Sequence, residues 1–259
     1  MRTSIDNPAT QETAFEYELT PAEALPAMVE SAARAGAELA GMTVAGRIEV
    51  CERFLAAFDA DSEEVARDIS IQMGKPLSES RAELRTMGVR ARHMMALAER
   101  CLAEVRVPPG AGKDGRQRFI EKVPVGVVLD IAAWNYPLLI PVNVVVPALL
   151  AGNAVILKHS SRTPLCAGHF ERAFEQTNAG MALVTGIVAS HDSTAALIAD
   201  PGIGYVAFTG SVEGGRAVSR AAAGRFIDVG LELGGKDPAY VRADADLGVA
   251  VEEKIGRAH

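Results

Sequence analysis

Residues 125–158 read VGVVLDIAAWNYPLLIPVNVVVPALLAGNAVILK, and this stretch decides the fold class. Residues 125–131 form a short apolar run, which predicts a buried strand. Residues 139–150 are long enough for a helix, and residues 153–157 form a second buried strand. Strands that alternate with helices in this way predict parallel pairing within one sheet.

The alternation continues towards the C-terminus. In chain order it predicts a helix over 163–177, a strand over 181–184, a helix over 191–198, a strand over 204–208, a helix over 212–222 and a strand over 227–231. We therefore predict an α/β fold with a Rossmann-type, open, mostly parallel sheet and helices on both faces. Such sheets bind ligands outside the carboxyl ends of their strands.

The first third of the chain predicts helices, which gives an N-terminal helical part over 1–104. The predicted helix starts are a capping box at Thr20 and Glu23 with Pro21 between them, a second start at Asp61 and Glu64, and a third at Ser80 and Glu83. Residues 118–123 alternate like a strand, so we assign 105–123 to a strand or hairpin segment. The Rossmann-type part then covers 124–259.

Composition excludes several classes of protein. The 259 residues carry 26 basic and 33 acidic side chains that are interspersed along the chain, so nucleic acid is not an expected partner. The three cysteines and five histidines lack the spacing of a disulfide framework or a metal site. No segment resembles a signal peptide or a membrane span, which predicts a cytoplasmic protein that does not bind membranes.

A glycine-containing turn follows the predicted strand that ends at Phe208. Thr209-Gly210-Ser211-Val212-Glu213-Gly214-Gly215 leads into a helix whose first N–H groups could hold a phosphate. Glycines are also common in ordinary strand-to-helix turns, so these residues alone leave both interpretations open.

Two other nucleotide-dependent classes are excluded. Residues 230–237 almost spell a P-loop, but Asp237 stands where Ser or Thr must hold magnesium, and strand-like residues 238–241 follow instead of a helix. No tyrosine is followed four residues later by a lysine, which excludes the short-chain dehydrogenase pattern.

Taken together, six segments resemble the aldehyde dehydrogenase superfamily. They are Asn7-Pro8-Ala9-Thr10, Met73-Gly74-Lys75-Pro76, Ala133-Trp134-Asn135-Tyr136-Pro137, Leu150-Ala151-Gly152-Asn153 running into Leu157-Lys158, Phe208-Thr209-Gly210-Ser211, and Glu232-Leu233-Gly234-Gly235-Lys236. Each segment is weak evidence alone. Their common order and spacing make the set specific, and the resemblance extends to about Val251.

The resemblance implies two catalytic residues and an NAD(P)-dependent oxidation of a small-molecule aldehyde to a carboxylic acid through a cysteine thioester. Asn135 matches the asparagine that stabilises the oxyanion. Glu232 matches the general base that activates water, and its neighbours Leu231 and Leu233 predict apolar surroundings that suit a base.

The resemblance also implies a dinucleotide site. Its residues are Ile131, Ala132, Ala133, Trp134, Lys158, His159, Ser160, Ser161, Phe208, Thr209, Gly210, Ser211, Val212, Gly215, Leu233 and Gly234. Many family members carry a glutamate three residues after the matching lysine, whereas this chain has Ser161. Loss of that acid removes repulsion of a 2′-phosphate, which Lys158, His159 or Arg162 could bind. The expected cofactor is therefore NADP in preference to NAD.

The family nucleophile is expected a little over thirty residues beyond Glu232, and only 27 residues follow Glu232 here. We therefore expect the chain to be truncated before the catalytic cysteine and inactive alone. Two alternatives stay open, namely an inactive dinucleotide-binding module and a non-functional truncation. The resemblance implies a homo-oligomeric full-length enzyme whose 105–123 segment takes part in assembly, and it leaves the oligomeric state of this chain open.

Overall fold

A computed structural model describes residues 2–106, 118–176, 181–236 and 238–254. Its strands and helices are, in chain order, β1 (Arg2–Asp6), β2 (Thr13–Glu18), α1 (Leu25–Ala40), α2 (Val44–Ala60), α3 (Ser62–Met73), α4 (Leu77–Leu102), β3 (Val105–Arg106), β4 (Phe119–Ile120), β5 (Val127–Ile131), α5 (Leu139–Leu150), β6 (Ala154–Lys158), α6 (Leu165–Glu175), β7 (Val184–Ile187), α7 (His191–Ala199), β8 (Ile203–Gly210), α8 (Val212–Ala222), β9 (Asp228–Leu233) and α9 (Leu247–Lys254).

The central sheet has the order β7-β6-β5-β8-β9, and all of its pairs are parallel. The chain thus adds β6 and β7 outwards from β5 in one direction and then returns to add β8 and β9 on the other side. This is the doubly wound arrangement, so the predicted Rossmann-type α/β fold is confirmed. The predicted helices over 139–150 and 212–222 coincide with α5 and α8.

The sheet separates two apolar cores. On one face, α1, α7 and α8 cover side chains such as Leu129 and Ile156. On the other face, α5 and α6 pack on the sheet and α2, α3 and α4 pack on them, around a cluster of buried aromatic rings. The rings of Phe54 and Phe174 stack at 4.2 Å in that cluster. Both faces of β5 and β6 are therefore covered, which is why these central strands are mostly apolar.

The N-terminal third departs from the all-helical prediction. β1 and β2 form an antiparallel hairpin before the first helix. The capping box predicted at Thr20 is wrong, because a short 3-10 helix over Ala22–Ala24 precedes α1 with Pro21 as its N-cap, and the Thr20 hydroxyl accepts the N–H of Val188 at 3.2 Å. Thr20 therefore ties the N-terminal segment to the end of β7 instead of opening a helix.

Other predicted bounds also shift. Helix α4 begins at Leu77, so Ser80 and Glu83 lie buried inside it and do not mark its start. Within 118–123 only Phe119 and Ile120 form a strand, which pairs with β3, and residues 107–117 lie outside the described ranges. Residues 238–241 form no strand.

No helix in the described ranges is both long and apolar enough to cross a membrane.

Candidate active site

The candidate site lies at the carboxyl edge of the sheet, where the strand order reverses. The chain leaves β5 towards β6 but leaves β8 towards β9, so the two connections run apart and open a crevice between them. The register pairs Ile131 with Lys158 on one side and with Phe208 on the other. Three of the predicted residues thus lie side by side, at the end of three neighbouring strands.

The N-terminus of α8 opens onto this edge. Ser211 caps it, with extended φ and ψ of −72° and 154°, and its Oγ accepts the N–H of Gly214 at 3.0 Å. Ser211 and Val212 are exposed. The first N–H groups of a helix have no partner within the helix, so this exposed end is suited to an anionic group.

Side chains from β8 and β9 pack closely on this turn. A Cβ atom at Gly210 or Gly214 would fall 2.7 or 2.6 Å from Cζ of Phe208. A Cβ atom at Gly215 would fall 2.6 Å from Cδ2 of Leu233. The absence of a side chain at these glycines therefore lets the Phe208 ring and the Leu233 side chain lie directly against the start of α8.

Lys158 ends β6 at the same edge. Its carbonyl accepts the N–H of Ala132 at 3.1 Å, which holds the start of the segment after β5. The side chain is half-buried, and this burial lowers the pKa of Lys158. No described residue offers the ammonium group a hydrogen bond or an ion pair. A desolvated cation without a protein partner fits an anionic ligand such as a ribose phosphate.

His159 cannot take the phosphate-binding role considered for it. Its ring is fully buried, with Nε2 at 2.9 Å from the carbonyl of Pro137 and Nδ1 accepting the N–H of Ser160 at 3.0 Å. Because that N–H can only donate, Nδ1 carries no proton and Nε2–H donates to Pro137. Burial lowers the pKa of His159 to about 4, so the ring is neutral near pH 7.

The residues after His159 stay accessible. Ser161 and Arg162 are exposed, and the carbonyl of Ser161 accepts a hydrogen bond from the Tyr17 hydroxyl at 3.2 Å. The N-terminal hairpin therefore holds this turn through its backbone and leaves the Ser161 hydroxyl unobstructed. Of the three groups named for a 2′-phosphate, Lys158 and Arg162 remain.

Asn135 lies in the segment that joins β5 to α5. Trp134, Asn135 and Tyr136 are exposed, so the segment presents three polar or aromatic side chains at the carboxyl edge. Its backbone is held by two residues to which the sequence assigned no catalytic or cofactor-binding role. Lys75 donates to the carbonyl of Asn135 at 3.0 Å, and Glu83 accepts the N–H of Leu138 at 2.8 Å. The Met73-Gly74-Lys75-Pro76 motif was a signal for Lys75, whereas the sequence placed Glu83 at a helix start.

Glu232 pairs with Thr209 across β8 and β9, and the next pair joins Leu233 to Gly210. The carboxylate is exposed. The apolar surroundings predicted for Glu232 are therefore not present among the described residues, because β9 is an edge strand of the sheet with no further strand beside it there. Gly234 follows in the exposed connection after β9.

All three cysteines lie in helices, and two of them are buried. Burial raises the pKa of the Cys51 thiol to about 12 and also raises that of Cys166. Cys101 is exposed near the end of α4. It lies 18 residues beyond Glu83 on that helix, which corresponds to about 27 Å along the axis.

One cluster of ionisable groups lies elsewhere, between α3 and α6. Nε2 of His169 lies 2.7 Å from Oδ2 of Asp68, and Arg172 lies 2.6 Å from Nδ1 of His169 and 3.0 Å from Glu64. Arginine always donates, so it occupies the free lone pair of the histidine. This arrangement is an ion-pair network that ties the two helices together.

Comparison with known proteins agrees with this geometry. The model of the aldehyde dehydrogenase family matches residues 2–258. A 3,6-anhydro-alpha-L-galactose dehydrogenase of Streptomyces coelicolor is 36% identical over 247 residues, which are 95% of this chain and 49% of the relative. A succinate-semialdehyde dehydrogenase [NADP(+)] of Mycobacterium avium is 33% identical in an alignment of 255 residues that covers 96% of this chain and 53% of the relative.

A solved structure shows the same fold. The NADP-dependent glyceraldehyde-3-phosphate dehydrogenase of Bacillus halodurans, complexed with NADP, superposes with a TM-score of 0.88 at 26% identity. The match covers 97% of this chain and 53% of that structure. The chain therefore spans about half the length of the proteins that it matches.

Proposed function

Since this chain belongs to the aldehyde dehydrogenase family, we propose that it is the cofactor-binding half of an NADP-dependent enzyme that oxidises an aldehyde to a carboxylic acid. One observation carries the proposal. The half-buried Lys158, which has no hydrogen-bond or ion-pair partner in the described part of the chain, lies on one side of the crevice at which the strand order reverses, and the exposed N-terminus of α8 lies on the other. Both groups attract anions, and a dinucleotide carries phosphates at separated points.

NADP is the proposed cofactor for reasons of charge. Ser161 offers a hydroxyl where an acidic side chain would repel a 2′-phosphate, and Lys158 and Arg162 bring positive charge to the same turn. The named relative of Mycobacterium avium and the solved structure from Bacillus halodurans are both NADP enzymes by name, which supports this choice.

The bound nicotinamide would supply a hydride acceptor. Residues of this chain would stabilise the negative charge on the substrate oxygen and activate the water that releases the product. The side-chain amide of Asn135 would donate to the oxygen that becomes negative when a thiolate adds to the aldehyde, which can lower the barrier by several kcal/mol, roughly 3. Glu232, being exposed, would take a proton from the water that releases the acid.

The thiolate itself is proposed to come from none of the three cysteines. Cys51 and Cys166 are buried with raised pKa values, so they stay protonated near pH 7. Cys101 is too far along α4 from the segment that carries Asn135. We therefore propose that this chain binds the dinucleotide and supplies Asn135 and Glu232, and that the nucleophile is a further residue of the complete enzyme.

Titration with NADPH and NADH tests the proposed cofactor. Trp134 is the sole tryptophan and belongs to the segment beside the crevice, so energy transfer from Trp134 to reduced nicotinamide reports binding directly. We expect NADPH to bind more tightly than NADH. Lys158→Met should weaken NADPH on the order of tenfold, because it removes a charge-assisted contact. Ser161→Glu should weaken NADPH and improve NADH.

The matched control is Arg100→Met, which removes an exposed positive charge from the far end of α4. It should leave both affinities unchanged. Equal affinity of the folded chain for the two dinucleotides would overturn the NADP assignment, and binding of neither would overturn the proposed function of this chain.

A further inference from the structure

Asn135 lies in a segment whose own side chains do little to fix its backbone conformation. Trp134, Asn135 and Tyr136 are all exposed, so no side chain of these three is anchored in a core. An amide that stabilises a developing negative charge must nevertheless be held to a fraction of an ångström, because small displacements of reacting groups reduce rates about a hundredfold. The anchors of this segment must therefore come from other parts of the chain.

One anchor is Glu83, a buried residue of α4. Its Oε1 accepts the N–H groups of Leu138 and Leu139, at 2.8 and 3.1 Å. These N–H groups open α5, and Leu138 at its N-cap has no side chain that could satisfy them. Glu83 therefore caps α5 from a different helix and fixes the downstream end of the segment that carries Asn135.

The second anchor is Lys75, which precedes α4. Its Nζ lies 2.5 Å from Oε2 of Glu83, and the two side chains are 11% and 1% exposed. The same ammonium donates to the carbonyl of Asn135 at 3.0 Å and lies 4.4 Å from the centre of the Tyr136 ring. Lys75 thus holds the backbone of Asn135 and the side chain that follows it.

A buried ion pair seldom adds much to overall stability, because the loss of hydration offsets the attraction between the charges. Here each charge also satisfies backbone groups of one segment, and that segment carries Asn135. We propose that Lys75 and Glu83 are positioning residues, which orient the Asn135 side chain for the oxyanion of the substrate. This inference rests on the proposed function for the role of Asn135, while the positioning itself can be measured without substrate or cofactor.

The test uses Trp134 as the reporter in the folded chain, by quenching with acrylamide and by the emission maximum. Lys75→Met keeps the length of the side chain and removes the ammonium. We expect Trp134 quenching to increase by about twofold or more and the side-chain amide signal of Asn135 to shift in the NMR spectrum, where Asn135→Ala identifies that signal. Lys75→Arg keeps the charge and the donors and should restore both signals.

Single variants leave one buried charge unpaired and can fail to fold. The double variant Lys75→Met with Glu83→Gln removes both charges and keeps an oxygen acceptor for the N–H groups of Leu138 and Leu139. It replaces Lys75→Met in the same measurements if the single variant does not fold. It should still release the carbonyl of Asn135 and shift its amide signal. The matched control is the exposed pair of Arg81 and Glu63 on α4 and α3, where Arg81→Met with Glu63→Gln should change neither reporter.

The outcomes separate the two proposals. A lower melting temperature in Lys75→Met, with unchanged Trp134 quenching and an unchanged Asn135 signal in the folded chain, would show a merely structural ion pair and overturn the positioning role. If Lys75→Met changes both Trp134 quenching and the Asn135 signal in a chain that binds neither dinucleotide, the positioning role is supported and the proposed function is overturned.

Discussion

Asp130 places a carboxyl group inside the central strand of the sheet. The residue is completely buried, and neither of its oxygen atoms has a hydrogen-bond partner in the described part of the chain. Burial raises the pKa of Asp130 well above its usual range, because desolvation disfavours the charged carboxylate. At pH values between the unfolded pKa and the raised folded pKa, the folded state therefore keeps a proton that the unfolded chain releases.

Because the folded state holds this proton, Asp130 makes the free energy of unfolding fall as pH rises. A salt-bridged aspartate has the opposite effect. The contribution of Asp130 to stability is complete below its unfolded pKa of about 4 and is lost as pH rises towards the raised folded pKa, by about 1.4 kcal/mol per pH unit. We expect Asp130→Asn to remove this slope. Urea unfolding at several pH values above about 5 measures it. Parallel pH profiles for the two proteins would show that Asp130 ionises in the fold.

The role of a residue could be predicted where a local sequence motif indicates its chemistry. It could not be predicted where the role depends on a contact with a residue that is distant in the sequence. The positions of Lys158, Phe208 and Ser211 at one edge follow from a strand-helix alternation that is local in the chain. The bond from Glu83 to Leu138 spans 55 residues, and no periodic pattern encodes it. The burial of His159 could not be predicted either, since the side chain of a histidine that follows a strand can point into the core or into solvent.

At the scale of elements, Gly204 sets how closely β8 follows the entry to β5. A Cβ atom there would fall 2.1 Å from the carbonyl oxygen of Val125 and 3.0 Å from its carbonyl carbon. Backbone atoms cannot move aside as a flexible side chain can. The contact lies next to the register shift between Val127 and Val128 in the pairing of β5 with β8, so the two strands are already irregular at this point.

Gly204→Ala should therefore push the start of β8 away from β5. We expect a loss of about 1–3 kcal/mol in the free energy of unfolding, as for other overpacked sites. Gly224→Ala is the matched control, because a Cβ atom at Gly224 meets nothing within 4 Å, and its effect should stay within about 0.5 kcal/mol. Urea unfolding of both variants provides the comparison, and equal stabilities would show that the strands separate at no cost.

The elements themselves were predictable to different degrees. Helices α5 and α8 have the predicted bounds, because apolar runs and a serine cap define them locally. The N-terminal hairpin was missed, since β1 and β2 are stabilised by pairing and by the contact of Thr20 with Val188, which no local pattern reveals. Strand β7 lies three residues later than predicted at both ends, because the buried run continues through Ile187.

At the scale of the whole molecule, the cysteine positions predict the behaviour of the isolated chain. With two buried thiols and a third at the far end of α4, we expect the chain with NADP and an aldehyde to form no reduced nicotinamide. The control is the binding of NADPH by the same preparation, which shows that the site is assembled. Turnover that disappears in Cys101→Ser would contradict the proposal that the nucleophile is a further residue.

The strand order also governs how the sheet can form during synthesis. Val127 pairs with Ala154 after 27 residues, whereas it pairs with Ile203 only after 76 residues. A ribosome adds about 5–20 residues per second, so one edge of the central strand waits for its partner for roughly 4–15 s. That edge belongs to an apolar strand carrying a buried carboxyl group. During this interval the nascent half-sheet therefore presents an unpaired apolar edge that molecular chaperones could bind.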